Sequence, residues 1–105
     1  MIHTTTETVP DHEIAEILGL VRGNVIRAKH IGTDIVASLR NLVGGEVTEY
    51  TKLMAEAREQ AFDRMNAQAQ GMNADAIVGI RFATSMVMAG AAEILVYGTA
   101  VRLRK

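Results

Sequence analysis

Three histidines (His3, His12 and His30) and two methionines two positions apart (Met86 and Met88) are the side chains that could ligate a soft metal here, because there is no cysteine. Soft heavy metals prefer thiolate and thioether ligands, then imidazole. Without thiols the usual two-cysteine capture loop is missing. No two histidines stand three or four positions apart, as one helix face requires, or two apart, as one strand face requires. They fall in three separate segments. In an extended segment Met86 and Met88 point to one face, and two thioethers alone suit little besides copper(I). Methionine in such a stretch is more often core filler. No preformed metal site is therefore expected within one subunit, although a symmetry axis could gather equivalent residues.

The stretch "NLVGGEVTEYTKLM" (41–54) raises anion chemistry. A phosphate cradle needs free backbone N–H groups at a helix start, with a Lys or Arg and a following Ser or Thr. Gly44, Gly45 and Thr48 supply part of this, but the G-x-x-x-x-G-K-[ST] pattern is absent and Glu46 places negative charge where the anion would sit. Glu46 instead suits the positive end of the helix that follows. The glycines are read as a hinge between two helices, with one of them at positive φ. Nucleophilic catalysis has no foothold: Ser38 and Ser85 have no identifiable His and acid partners, and no carboxylate pair stands out.

The elements that must position these residues follow from periodicity. The β-branched segment 2–6 is an edge strand. Pro10 and Asp11 suit a helix start, and the spacing of Ile14, Ile17 and Leu18 predicts a short helix over 11–18 ended by Gly19. Residues 20–31 read as a strand with a bend or bulge at Gly23. Ile35, Val36, Leu39, Leu42 and Val43 predict a helix over 33–43. A longer helix follows over 48–70, with the stripe Val47, Tyr50, Met54, Ala57, Ala61, Met65 and Ala69, closed by Gly71. "ADAIVGIRFATSMVM" and "AEILVYGTAVRL" flank Ala89 and Gly90 as a hairpin that sets Phe82 opposite Tyr97 and Val78 opposite Val101. One face would carry Val78, Ile80, Phe82, Met86, Leu95, Tyr97, Val101 and Leu103. The other would carry Ile77, Gly79, Ala83, Val87, Ile94, Val96, Gly98 and Ala100, with Arg81 and Arg102. That second face is apolar or small where a solvated sheet face should be polar. A second copy of the chain is the expected cover, with Val96 in the contact.

The bulk properties agree with one small domain over 1–105. With 105 residues the chain can bury a modest core. A net charge of −1 with mixed signs argues against a nucleic-acid partner. No apolar run reaches the roughly 20 residues of a membrane span. The start "MIHTTTETVP" lacks a signal peptide's positive and apolar regions, and a cytoplasmic location is expected.

The segments "LRNLVGGEVTEYTKLM" and "AEILVYGTAV", with "ADAIVGIRFATS" between them, resemble the YbjQ-like family of small bacterial proteins along nearly the whole chain. The resemblance implies an α/β two-layer (α+β) unit of dodecin-like type, a small antiparallel sheet packed on helices and assembling as a ring, specifically a homopentamer. It implies no reaction, and its profile carries a heavy-metal-binding label. The polar residues in or near the matching segments, Arg27, Arg40, Asn41, Glu46, Tyr50, Arg81 and Glu93, are the ligand or interface candidates. Arg81, among Gly79, Gly98 and Ala83, has room for a flat guanidinium, as an inter-subunit ion pair or as a fork for a carboxylate or phosphate. His30, Met86 and Met88 are the metal candidates, and no cofactor is predicted. Three functions stay open: an oligomeric, non-catalytic binding or scaffold module, which is favoured; a heavy-metal-binding protein; and a small-molecule or anion binder, even an enzyme, with an interface pocket.

Overall fold

The computed structural model describes residues 1–28 and 48–104. The helix expected over 33–43 and the Gly44–Gly45 hinge lie outside them. The described residues form four strands and one long helix: β1 (Ile2–His3), β2 (Ile14–Ala28), α1 (Thr48–Gly71), β3 (Ala76–Met88) and β4 (Ala91–Leu103). The strands form one sheet in the order β1-β3-β4-β2. β1 runs parallel to β3 and the other pairs are antiparallel, so the sheet is mixed rather than purely antiparallel. With α1 on one face this is a two-layer α+β unit.

The short helix expected over 11–18 is instead a turn and the start of β2. Pro10 presets φ at the second turn position. Asp11 takes φ 65° at the third, as a type II turn requires. The His12 N–H closes the turn on the Val9 carbonyl at 3.1 Å. The helix-like spacing has a specific cause. Ile14, Ile17 and Leu20 pair with Leu103, Val101 and Thr99, residues two apart on β4. A bulge between each pair adds one residue to β2, so a three-residue period lies on one face of a strand. The irregularities thus fall at Ile14/Glu16 and Ile17/Gly19, not at Gly23.

Gly23 has a different task. A Cβ there would run into the Ala61 carbonyl oxygen and lie 2.6 Å from the Met65 backbone nitrogen. The backbone of α1 therefore crosses directly over this strand position. The predicted stripe makes that approach possible: Ala57, Ala61, Met65 and Ala69 are all fully buried. The helix closes at Asn73 rather than Gly71. Asn73 has φ 58°. Its N–H reaches the Gln70 carbonyl at 3.0 Å, and the Ala74 N–H reaches Ala69 at 3.2 Å, the paired bonds of a Schellman motif.

The hairpin register also differs from the expected one. Phe82 lies opposite Val96, Arg81 opposite Tyr97, Val78 opposite Thr99 and Ala76 opposite Val101. An irregularity between Val78 and Arg81, with Gly79 at φ 64°, inserts a residue. It carries Ile80 to the face of Ile77. That face, with Ile94, Val96, Ala100, Val21 and Val25, is the one α1 covers. The opposite face is covered at its base by the N-terminal segment. There Val9 packs with Ala76, Val78 and Val101, beside Ile14 and Leu103. Hydrogen bonds from Thr4 and Gly79 N–H to the Ile77 and Thr6 carbonyls, 3.0 and 2.8 Å, fasten that segment along β3.

Candidate functional site

Arg27 sits near the end of β2 in one row with Ala92 of β4 and Met86 of β3. The preceding residue pair on that face, Val25 and Ile94, belongs to the core under α1, so by strand alternation this row also faces the helix. The Arg27 guanidinium donates through Nη2 to Oε1 of Gln60 on α1. Its Nε is buried and has no hydrogen-bond acceptor among the described residues. Beside it opens a cleft of about 270 Å³, bounded by Arg27, Leu53, Met54, Met86 and the turn residues 90–92. Among the described residues no carboxylate lies within ion-pair distance of Arg27. Arg27 also borders a second hollow, which it shares with Gln60, Glu56, Glu59 and Arg58.

The other described candidates lie elsewhere. Glu93 pairs opposite Ile26 and Ser85 on the outer face, away from α1, and accepts a bond from Asn24 Nδ2 at 3.3 Å. Arg81 is on that same face, opposite Tyr97, which in turn pairs with Arg22. Its Nη1 donates to the backbone carbonyls of Thr5 and Ile80, at 2.8 and 2.9 Å. Arg81 thereby ties down the N-terminal segment. Arg40, Asn41, Glu46 and His30 lie outside the described residues, as does the Tyr50 side chain. Arg27, Arg81 and Glu93 thus do not converge on one site. Leu53, Met54 and Gln60 border or hold the cleft without having been singled out as site residues. Met54 was legible only as a stripe residue, because a cleft depends on how the helix sits over the sheet.

Of the metal candidates, Met86 and Met88 lie in the described residues and do not come together. His3 Nε2 is 2.8 Å from Asn66 Oδ1, and its ring meets Phe62 edge-on at 4.8 Å. Met86 pairs with Ala92 and Met88 with Ala91, across a bulge. Successive β4 residues point to opposite faces, so the two thioethers are directed apart rather than to the expected common face. Among the described residues no three His, Asp or Glu side chains converge as they would around an ion.

Residues 1–104 match a family model described as "YbjQ_1: Putative heavy-metal-binding". The chain is 61% identical to a UPF0145 protein of Archaeoglobus fulgidus over 104 residues, covering 99% of this chain and 96% of that one. It is 55% identical to a UPF0145 protein of Psychromonas ingrahamii over the full length of both. The expected bacterial range therefore extends to archaea. A solved structure from Pediococcus pentosaceus, titled as a protein of unknown function in the DUF74 family, superposes with a TM-score of 0.68 at 16% identity. It covers 99% of this chain and 98% of its own, a likeness of fold. Among the described residues the imidazole of His3 is engaged by Asn66 and no cluster of three His, Asp or Glu forms, while His30 lies outside them.

Proposed function

The chain belongs to the YbjQ_1 family, and we propose that it is a non-catalytic, homo-oligomeric binding or scaffold module. The observation that carries this is the uncovered outer face of the sheet. Ile17, Leu20, Ile26 and Tyr97 are exposed there, with Leu20 at 62% and Ile26 at 57%. Rows of Arg22–Tyr97–Arg81 and Asn24–Leu95–Ala83 run between them. Apolar side chains mixed with Tyr and Arg are the composition of an interface centre. The chain is also drawn out rather than spherical, which leaves more surface for a partner to cover. Its radius of gyration is 17.3 Å, against about 13 Å for a compact domain of 100 residues.

The cover we assign to this face is a second copy of the chain, in a closed ring of dodecin-like type. The family resemblance favours five subunits. A cytoplasmic site of action is part of the same reading. Sedimentation of the purified protein tests it: an assembly is expected at micromolar concentration, and Ile26→Lys should dissociate it without unfolding the subunit. A wild-type monomer refutes it. A second reading, small-molecule binding, is favoured by one observation, the buried Arg27 Nε without an acceptor among the described residues.

A further inference from the structure

We propose that the cleft beside Arg27 binds a small monocarboxylate with an apolar tail, the carboxylate on the guanidinium and the tail against Leu53, Met54 and Met86. This deepens the small-molecule reading above and does not depend on the assembly.

Three observations carry it. First, buried polar groups are normally hydrogen-bonded, so each exception calls for a missing partner. Arg27 Nε is such an exception. Its Nη2 is engaged by the neutral Gln60 amide, which orients the fork without supplying a counter-charge. Second, a guanidinium fork fits a carboxylate with two parallel N–H bonds. Third, among the described residues the rest of the wall is apolar: Leu53, Met54, Met86 and the turn residues 90–92. Unbranched methionine thioethers adapt to tails of differing shape. The cleft, about 270 Å³, holds roughly nine times the ~30 Å³ share of one water. A phosphate or nucleotide would bring more charge and polar surface than one guanidinium and an apolar wall could satisfy. A neutral apolar molecule would leave Nε as it is.

Octanoate is the probe, with octanol and inorganic phosphate as comparisons, each titrated into the full-length protein by calorimetry. Methionine-methyl NMR of the same samples places the ligand. Saturable octanoate binding is expected, moving the Met54 and Met86 methyl signals and leaving Met1 and Met72 in place. Octanol and phosphate should each bind at least about tenfold more weakly. Arg27→Gln should lower octanoate affinity by about tenfold or more. Met86→Glu offers a second variant, because Met86 is 82% exposed and a carboxylate at the rim repels the ligand's own. It should weaken octanoate similarly even where Arg27→Gln folds poorly. Four results overturn the proposal: no saturation at millimolar octanoate, equal affinity for octanol or phosphate, undiminished binding by the two variants, or methyl shifts elsewhere. Light scattering on the same samples reads the oligomeric state separately, so a ligand-binding monomer would refute the assembly and leave this inference standing.

Discussion

The two ends of the β3–β4 hairpin use the same kinds of residue and meet opposite fates. At the base, residues 76–78 and Ile80 are buried, with α1 on one face and the N-terminal segment on the other. Toward the tip every residue from Arg81 to Met88 is exposed, including Phe82, Met86, Val87 and Met88. Apolar content alone did not set burial. What differs is the layer above each strand: α1 packs on β2 and β4, and the N-terminal segment reaches only as far as Ile80. Large apolar groups left exposed together among the described residues are the kind of surface an interface covers.

The sharpest way to break this contrast is at the base. Gly23→Ala drives a methyl group into the backbone of α1 at Ala61 and Met65. A rigid backbone neighbour cannot yield as a side chain would, so a loss of about 3 kcal/mol is expected, or failure to fold. Chemical denaturation measures it. Val96→Lys, in the same core, should also unfold the subunit, since it buries an unpaired charge. Although Val96 was expected at the subunit contact, it is fully buried beneath α1.

This last correction shows how much was legible. The long helix, its alanine-rich buried stripe and the two strands of the hairpin were readable, because each follows from a regular period, but the residue partners across the hairpin were not. The faces were not. A bulge changes the phase of a strand by one residue, and one insertion at Gly79 moved Ile80 to the other side. Two more in β2 set Ile14 and Ile17 three apart on one face, as in a helix, while Leu18, read as part of the same stripe, packs on the α1 side. The candidate site was partly legible. Arg27 was named, but its pairing with Gln60 and its closeness to Met54 depend on how far along the sheet α1 lies. The candidates at 30, 40, 41 and 46 lie outside the described residues.

On the outer face the expected effect is on assembly rather than folding. Leu20→Lys should lower the assembled mass and make the melting temperature depend more strongly on protein concentration. Scanning calorimetry at several concentrations reads this, and an unchanged assembly would remove Leu20 from the contact. A smaller effect is expected at the base, where Asp75 Oδ2 accepts the Leu103 N–H at 2.9 Å. Asp75→Ala should cost about 1 kcal/mol in denaturant titration, the worth of one such bond. Smallest is Asn73→Gly. Asn73 already holds φ 58°, a conformation glycine adopts without strain, so stability should change by less than about 1 kcal/mol, toward a gain.

The central claim is that another copy of the chain covers the outer face. Native mass spectrometry of the purified full-length protein at micromolar concentration tests it most directly. The account predicts a single closed assembly whose mass is a whole multiple of 11.4 kDa, five subunits by preference, reduced to one subunit by Ile26→Lys. A wild-type protein found at 11.4 kDa would contradict it.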